Sequence, residues 1–534
     1  MDSKYYSIIF LSILLFAIFI RIQYLDKPLM ADETVFFESS KNIDTKSNAA
    51  YCSHCLIEGL NASNFILNFY PFVFNFHPPL FSIYLSQIIH FFNLNEMALR
   101  FFIVIFSIAS VLLIYFIGDL LGGKKVGIIS MFLLAINSLH IEQSQIIDID
   151  GSFFTFFMLL TIFSFIKWQK TKSNKYFIFF ILSFIVSILT KEAAILLFPA
   201  FFLYFLKKKE IFKFLKFSTI VVAVSVVFIF IFGVLLSTNF FEGTLHNSTV
   251  LISNRSQTNF IERVYQFLGT ITWKFTPPLL LLAALSLLYN WKKEDQFYKF
   301  LTYFLVFFLT FFILVLGIVR YFTPIIPILC LLIANYIANS KIKFTRKAFS
   351  IIFVTAILCL AGFYLLRIRA DVLFLSDIKN NFWLITIPYG LCAIPLIFYF
   401  TKYRKIGLFI LIGMLIGYNI FFAQESINPL ITPDFNKAVA DAANLIKNNS
   451  IEGPIATMFD ISFYSNKSFY LIEKISLEEL ESLVREGKIE YVIYRTNNIL
   501  IQSDVKQYLE NNCEKTGNDF SRNVETLVAY KCLT

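Results

Sequence analysis

The chain has 534 residues, of which 57% are hydrophobic and only 15% charged; 67 are Phe, and the formal net charge is +10. With a mean hydropathy of +0.69, this composition excludes a soluble globular protein of that length. It excludes a nucleic-acid binder as well, because Lys and Arg sit in short clusters between apolar runs, as in the cytoplasmic loops of a polytopic membrane protein.

A crossing helix needs about 20 apolar residues. The sequence predicts thirteen spans, at 5–22, 98–117, 126–139, 151–168, 176–189, 193–206, 217–236, 277–290, 300–319, 322–339, 349–366, 382–400 and 406–422. The first run has only Lys4 ahead of it and no small-residue cleavage site, so it is expected to remain as an uncleaved span. A further run, 80–92, is short and contains Gln87 and His90. Counted as a span, it would put Lys124 and Lys125 on the opposite side from every later basic cluster. Read as a helix in the outer interface, it leaves 124–125, 167–175, 207–216, 292–293, 341–347 and 402–405 all cytoplasmic with the N-terminus. The C-terminus is then outside. Asn-x-Ser/Thr sequons at Asn61, Asn247, Asn254, Asn448 and Asn466 all fall in segments placed outside.

The expected domains are a membrane domain, 1–422, with a large first outer loop at 24–97, and an extracytoplasmic α/β domain, 423–534. A second long outer segment is 237–276. In the C-terminal part, 433–448 has helical spacing, 454–459, 489–494 and 524–530 read as strands, and 477–486 reads as a helix. Ser476 would open that helix, with Glu479 completing a capping box. Cys330, Cys359 and Cys392 lie in spans and read as small buried hydrophobes. Cys513 and Cys532 suit a disulfide in an oxidising space. Cys52 and Cys55 fit a metal half-site or a strained disulfide, and no second ligand pair supports zinc.

The predicted topology gathers polar residues on one outer face. Asp32 and Glu33 follow the first span, in the stretch MADETVFFE at 30–38. His77 precedes two prolines at the start of the interfacial helix, and Arg100 marks the outer start of the second span. Asp148 and Asp150 lie between the third and fourth spans, Lys191 and Glu192 between the fifth and sixth, and Arg320 and Tyr321 in a tight connection before Pro324. Singly, each has a plain explanation, such as a snorkelling cation or an Asp ending a helix. Together they put carboxylates and cations at one membrane surface, while no predicted span has an ionisable residue near its middle. A secondary transporter would want broken helices and charges at mid-bilayer. A non-catalytic surface receptor is the other alternative, and would keep its binding after Asp32→Asn.

Sugar transfer from a lipid phosphate needs this mixture. Cations such as Lys191, Arg320 and His77 would hold the donor phosphate at headgroup level. A carboxylate within reach would take the proton of the attacking hydroxyl. Direct attack on the anomeric carbon inverts it, and a phosphate already stabilised by cations leaves without an acid partner.

Several motifs then add a resemblance. Asp32-Glu33 after the first span, His77-Pro-Pro-Leu, and Ala98-Leu-Arg100 leading to Gly118-Asp-Leu-Leu-Gly-Gly-Lys-Lys125 are of this kind. So are Asn137-Ser-Leu-His140 followed by Asp150, Leu189-Thr-Lys191, and Arg320-Tyr-Phe-Thr-Pro324. In order and spacing, over roughly 5–340, the chain resembles the dolichyl-phosphate-mannose protein mannosyltransferase superfamily, which includes the aminoarabinose lipid A transferases. The resemblance implies a mainly α GT-C helical bundle and an inverting membrane glycosyltransferase of the cell membrane, taking a polyprenyl-phosphate sugar. The acceptor would be a protein, lipid or glycan hydroxyl. It also implies Asp32, with Glu33 beside it, as the essential acid, Asp150 as the second outer-loop acid, and His77 at the carrier phosphate. Lys191, Arg320, Tyr321 and Arg100 complete the expected phosphate-binding set. The chain departs from the family at Gln145 and Asp148, where Arg is usual, and at Glu192, where Gly is common. No tightly bound catalytic metal is expected; Asp32 and Asp150 are the pair that would share a divalent cation.

Overall fold

The computed structural model describes residues 3–23, 25, 33, 36–37, 40, 78, 80–92, 96–235, 276–291, 295–315, 319–340, 345–370, 382–401, 403–427, 455–457, 469–472, 476–495, 503–515 and 527–532. Asp32, His77, Cys52, Cys55, the five sequons and the predicted helix at 433–448 lie outside these residues.

In chain order the helices begin with α1 (Ser3–Arg21), α2 (Leu80–Phe92), α3 (Glu96–Gly122), α4 (Lys124–Ala135) and the short α5 (Ser138–Gln143). A π-type turn, Ile149–Phe153, leads into α6 (Phe154–Thr171) and α7 (Asn174–Thr190). A 3-10 turn, Glu192–Leu196, precedes α8 (Leu197–Lys207), then α9 (Ile211–Leu235), α10 (Pro277–Trp291) and α11 (Gln296–Val315). A second 3-10 turn, Val319–Ile325, opens α12 (Ile326–Asn339), which is followed by α13 (Arg346–Ala370), α14 (Phe382–Phe400) and α15 (Arg404–Ile427).

Among the described residues five helices are long and apolar enough to cross a membrane: Met97–Gly122, Ile149–Thr171, Ile211–Ile231, Tyr321–Asn339 and Arg404–Phe421. Shorter apolar helices accompany them. The other spans expected from hydropathy correspond to shorter helices or lie partly outside the described residues. The run at 126–139 breaks at Asn137, leaving α4 with 12 residues, a rise of about 18 Å against a hydrocarbon core of about 30 Å. The helix α8, within the run at 193–206, has only 11 residues. The run at 80–92, expected to lie at the interface, is a 13-residue helix with Phe81, Leu85, Ile88 and Ile89 buried.

Close helix approach follows from small residues, as membrane packing favours. A Cβ on Gly118 would stand 2.8 Å from the Gly127 Cα, so α3 and α4 touch backbone to backbone. On α15, Gly413 and Gly417 face the Ile352 and Ala356 carbonyls of α13, where an added Cβ would come within 2.6 and 2.5 Å. Aromatic rings fill the interior. Phe165 on α6 lies 4.7 Å from Phe201, 5.0 Å from Tyr204 and 5.1 Å from Phe300, centroid to centroid. Phe19, Phe212, Phe230 and Phe349 are turned outward, as suits a lipid-facing surface.

The C-terminal part contains β1 (Ile455–Thr457), β2 (Phe469–Leu471), α16 (Leu477–Arg485), β3 (Tyr491–Arg495), α17 (Ser503–Asn512), β4 (Glu514–Lys515) and β5 (Leu527–Lys531). The sheet order is β2-β1-β3-β5-β4, parallel across β2-β1-β3 and antiparallel beyond. Ser476 Oγ accepts the Glu479 N–H and caps α16. Cys513 and Cys532 are joined in a disulfide, while Cys330, Cys359 and Cys392 are free thiols on helices. Sequence reading missed β2, β4 and α17, the strands because runs of two or three residues carry too little alternation to detect.

Candidate active site

The site is assembled where α1 and α4 end, beside the short α5 and the flank of α3 at Ser107. Arg21, in the last turn of α1, is fully buried. Its guanidinium donates to Ser107 Oγ (2.9 Å) on α3, to the Ala17, Leu134 and Ala135 carbonyls (3.1, 3.3 and 3.1 Å), and to His140 Nδ1 (2.9 Å) on α5. Arginine suits this role because its rigid fork satisfies several acceptors at once. The cation therefore neutralises the open carbonyl end of α4 and ties it to α1, α3 and α5. Asn137 starts α5 by accepting the His140 N–H at 3.0 Å, and Asn419 of α15 accepts the Ser138 N–H at 3.0 Å. Beyond α5, the Gln145 amide donates to the Gln23 carbonyl at 2.9 Å.

His140 must use Nδ1 as an acceptor toward Arg21, so its proton sits on Nε2. Burial, and then the Arg21 charge, hold its pKa well below the usual histidine value. Unfolded, this imidazole takes a proton near pH 6.5; folded, it does not. The unfolded state thus binds more protons below pH 6.5, and stability is lost as pH falls through that value. The expected slope is about 1.4 kcal/mol per pH unit, read as a falling thermal midpoint between about pH 6.5 and 5. His140→Gln should flatten that limb. An unchanged pH dependence in this variant would refute the assignment.

The segment after α5 brings two ion pairs together. Glu33, from the first loop, accepts from Arg100 Nε at 3.3 Å and from Arg100 Nη2 at 3.2 and 3.1 Å. The same carboxylate accepts the Ile147 N–H at 2.9 Å. Both side chains are buried, Arg100 to 1% exposure and Glu33 to 8%. Phe36 and Phe37 pack with Phe81 and Leu85 of α2, Leu99 and Ile103 of α3, and Ile147, Ile149 and Phe153, so the loop is pinned by apolar contact as well.

Directly after Ile147, Asp148 Oδ1 accepts the Asp150 N–H at 3.2 Å and caps the π-type turn. A side chain at Gly151 would meet the Gln143 carbonyl at 3.0 Å, so the turn lies directly against α5. Asp150 is thereby aimed at Lys191, with Nζ 2.7 Å from Oδ1 and each side chain 5% exposed. Glu192 stands 3.9 Å from the same ammonium, and the Tyr321 ring centroid lies 5.1 Å away. Burial works against the Lys191 charge, but Asp150, Glu192 and Tyr321 outweigh it and lift its pKa above the ordinary lysine value. Lys191 stays charged throughout the physiological range.

Of the residues singled out in the sequence, Glu33 and Arg100 meet each other, and Asp150, Lys191 and Tyr321 meet beside them. Arg100 was expected at the donor phosphate, and its geometry directs it to Glu33. The backbone of Arg320 is described, next to Tyr321, but not its side chain. Arg21, Ser107 and Asn419 were missed. The only available signal was an arginine in the last turn of an otherwise apolar run. Among the described residues no group of three or more His, Cys, Asp or Glu could hold a metal ion. A divalent ion at Asp150 would have to displace the Lys191 ammonium.

Residues 76–236 match the family model described as dolichyl-phosphate-mannose-protein mannosyltransferase. Over 99% of this chain and 98% of the other, the fold matches ArnT from Cupriavidus metallidurans bound to undecaprenyl phosphate, with TM-score 0.62 at 14% identity. The chain has the GT-C fold. The superfamily expected from the motifs is the one these comparisons give. The apo state of the same ArnT matches at TM-score 0.58, again with 14% identity and coverage of 99% and 98%. The oligosaccharyltransferase from Archaeoglobus fulgidus, tethered to an acceptor peptide, matches at TM-score 0.51 and 12% identity over 92% of this chain and 69% of that one. No curated protein matches the sequence. This GT-C chain is a membrane protein with several apolar helices.

Proposed function

We propose that this protein is an integral membrane glycosyltransferase that moves a sugar from a polyprenyl-phosphate donor to an acceptor hydroxyl, at the face opposite the basic loops. The observation that carries the reading is the convergence of two buried ion pairs, Glu33–Arg100 and Asp150–Lys191, on the segment 147–150. The undecaprenyl phosphate bound by the structurally similar ArnT supports the donor class.

Asp32, next to the anchored Glu33, is the proposed base. It takes the hydroxyl proton as the acceptor oxygen bonds to the anomeric carbon. The bond from that carbon to the phosphate oxygen breaks, its electron pair stays on the phosphate, and polyprenyl phosphate leaves with inversion at the sugar. Lys191 and Arg320 with His77 stabilise the leaving charge. Glu33 and Arg100 act as positioning residues, since their charges are directed to each other and to the Ile147 N–H. Asp150 orients Lys191. A cell-membrane location with an extracytoplasmic C-terminal part belongs to the same reading. A protein, lipid or glycan can each supply the acceptor hydroxyl.

Deletion of the gene, followed by mass spectrometry of lipid-linked sugars and of glycosylated material, tests this directly. Loss of one glycosylated product with accumulation of its lipid-linked donor is expected, reversed by the wild-type gene. Asp32→Asn should insert normally and restore nothing. Full restoration by that variant would remove Asp32 as the base.

A further inference from the structure

The far end of the bundle holds a second polar constellation, independent of the transfer reading. The π-type turn with Asp150 leads into α6, whose 18 residues end at Thr171. That is about 27 Å, close to the roughly 30 Å of a hydrocarbon core. At this end the α6–α7 and α8–α9 turns come together with the start of α11. Phe297 is stacked on Tyr204, centroids 5.7 Å apart. Lys208 Nζ lies over both rings, 4.8 Å from Tyr204 and 5.9 Å from Phe297, and Lys170 Nζ lies 5.8 Å from Phe297. Lys172 donates to Gln169 Oε1 at 2.9 Å.

The buried groups of this cluster with no hydrogen-bond partner among the described residues include two donors, Gln169 Nε2 and the Tyr204 hydroxyl. Gln169 is 4% exposed and Tyr204 2%. The amide whose oxygen bonds Lys172 thus presents its N–H2 beside that ammonium with no acceptor. Leaving a buried donor unsatisfied is unfavourable, so the arrangement calls for an acceptor. Of the nearby acids, Glu210 pairs with Lys213 through Oε1 at 2.8 Å while its Oε2 has no partner among the described residues, and Asp295 accepts the Phe297 N–H at 2.8 Å. Burial, and then Lys172, press the Lys208 pKa down, more than Glu210 restores it. Positive charge is in excess here.

We infer that Gln169, Lys172, Tyr204 and Lys208 form a binding site for a phosphate-bearing group, at the opposite membrane face from Asp150. A diffuse basic surface would attract anionic lipid through charge alone. This site differs by adding neutral, buried donors that read the phosphate oxygens individually. The phosphate can belong to a lipid headgroup or to a free solute.

The test uses the full chain in nanodiscs of phosphatidylcholine, with or without phosphatidylglycerol, and counts retained lipid by native mass spectrometry. Inorganic phosphate binding to the phosphatidylcholine discs is measured alongside by calorimetry. Lys172→Ala/Lys208→Ala should weaken binding about tenfold or more, and the isosteric Gln169→Leu several-fold. Lys172→Arg/Lys208→Arg should retain it, as should Lys347→Ala, a control at an exposed lysine on α13. Phosphatidylglycerol selectivity with this variant pattern identifies a lipid headgroup. Phosphate binding with the same pattern and no lipid preference identifies a free ligand. Binding indifferent to Gln169→Leu, whatever the lysine variants do, overturns the site, because charge alone would then explain it. So does the absence of binding by either probe.

Discussion

Lys191→Met should lower the thermal stability of the full chain by about 3–5 kcal/mol and abolish product formation. The ammonium sits 2.7 Å from Asp150 with both side chains 5% exposed, so methionine fills the space but strips a buried carboxylate of its cation. Desolvation then works against the stranded charge. The double variant Lys191→Met/Asp150→Asn separates the two effects. It should recover most of the stability, because a neutral amide replaces the stranded charge, and none of the activity, because the proposed phosphate cation is still missing. Thermal unfolding followed by tryptophan fluorescence, with mass-spectrometric detection of product, reads both. Wild-type activity in the double variant would show that Lys191 has no part in the transfer.

The second large effect is expected at Glu33→Gln. The carboxylate takes two contacts from Arg100 Nη2, one from Nε, and the Ile147 N–H. An amide oxygen can serve only part of that set, and Arg100 at 1% exposure loses its counter-charge. A loss of about 3–5 kcal/mol is again expected. With Arg100→Met as the other arm, the double-mutant cycle should show a coupling of about 0.5–3 kcal/mol. The transfer rate should fall by about 100-fold even under conditions where the variant remains folded, since Glu33 holds the segment that aims Asp150. Additive effects with no coupling would mean that the two side chains do not act together. A normal rate in folded Glu33→Gln would mean that the loop needs no such anchor.

Composition and basic clusters were enough to read a membrane protein from the sequence, and the motif order was enough to reach the family whose model matches residues 76–236. The sequence also put Glu33, Arg100, Asp150, Lys191 and Tyr321 on one face. It could not say which touched which. Glu33 and Arg100 are separated by 67 positions, and only the packing of Phe36 and Phe37 against α2 and α3 brings them into register. Hydropathy likewise cannot tell a crossing helix from a short buried one. The residues of α8 are as apolar as those of α3, yet they form a helix of 11 residues. Arg21 was overlooked for a related reason. A cation in the last turn of an apolar run is commonly a lipid-facing anchor, whereas here carbonyls of a broken neighbouring helix turn it inward.

The tie between Asn419 and the Ser138 N–H has a bearing on biogenesis. Its partners are 281 positions apart, so at about 5–20 residues per second the ribosome delivers Asn419 tens of seconds after α5 has emerged. Until then the nascent chain possesses its acids and cations but lacks this one of the bonds that hold α5. The finished site is consequently a late product of insertion, and a chain arrested before α15 would be assembled in the bilayer yet remain unfinished.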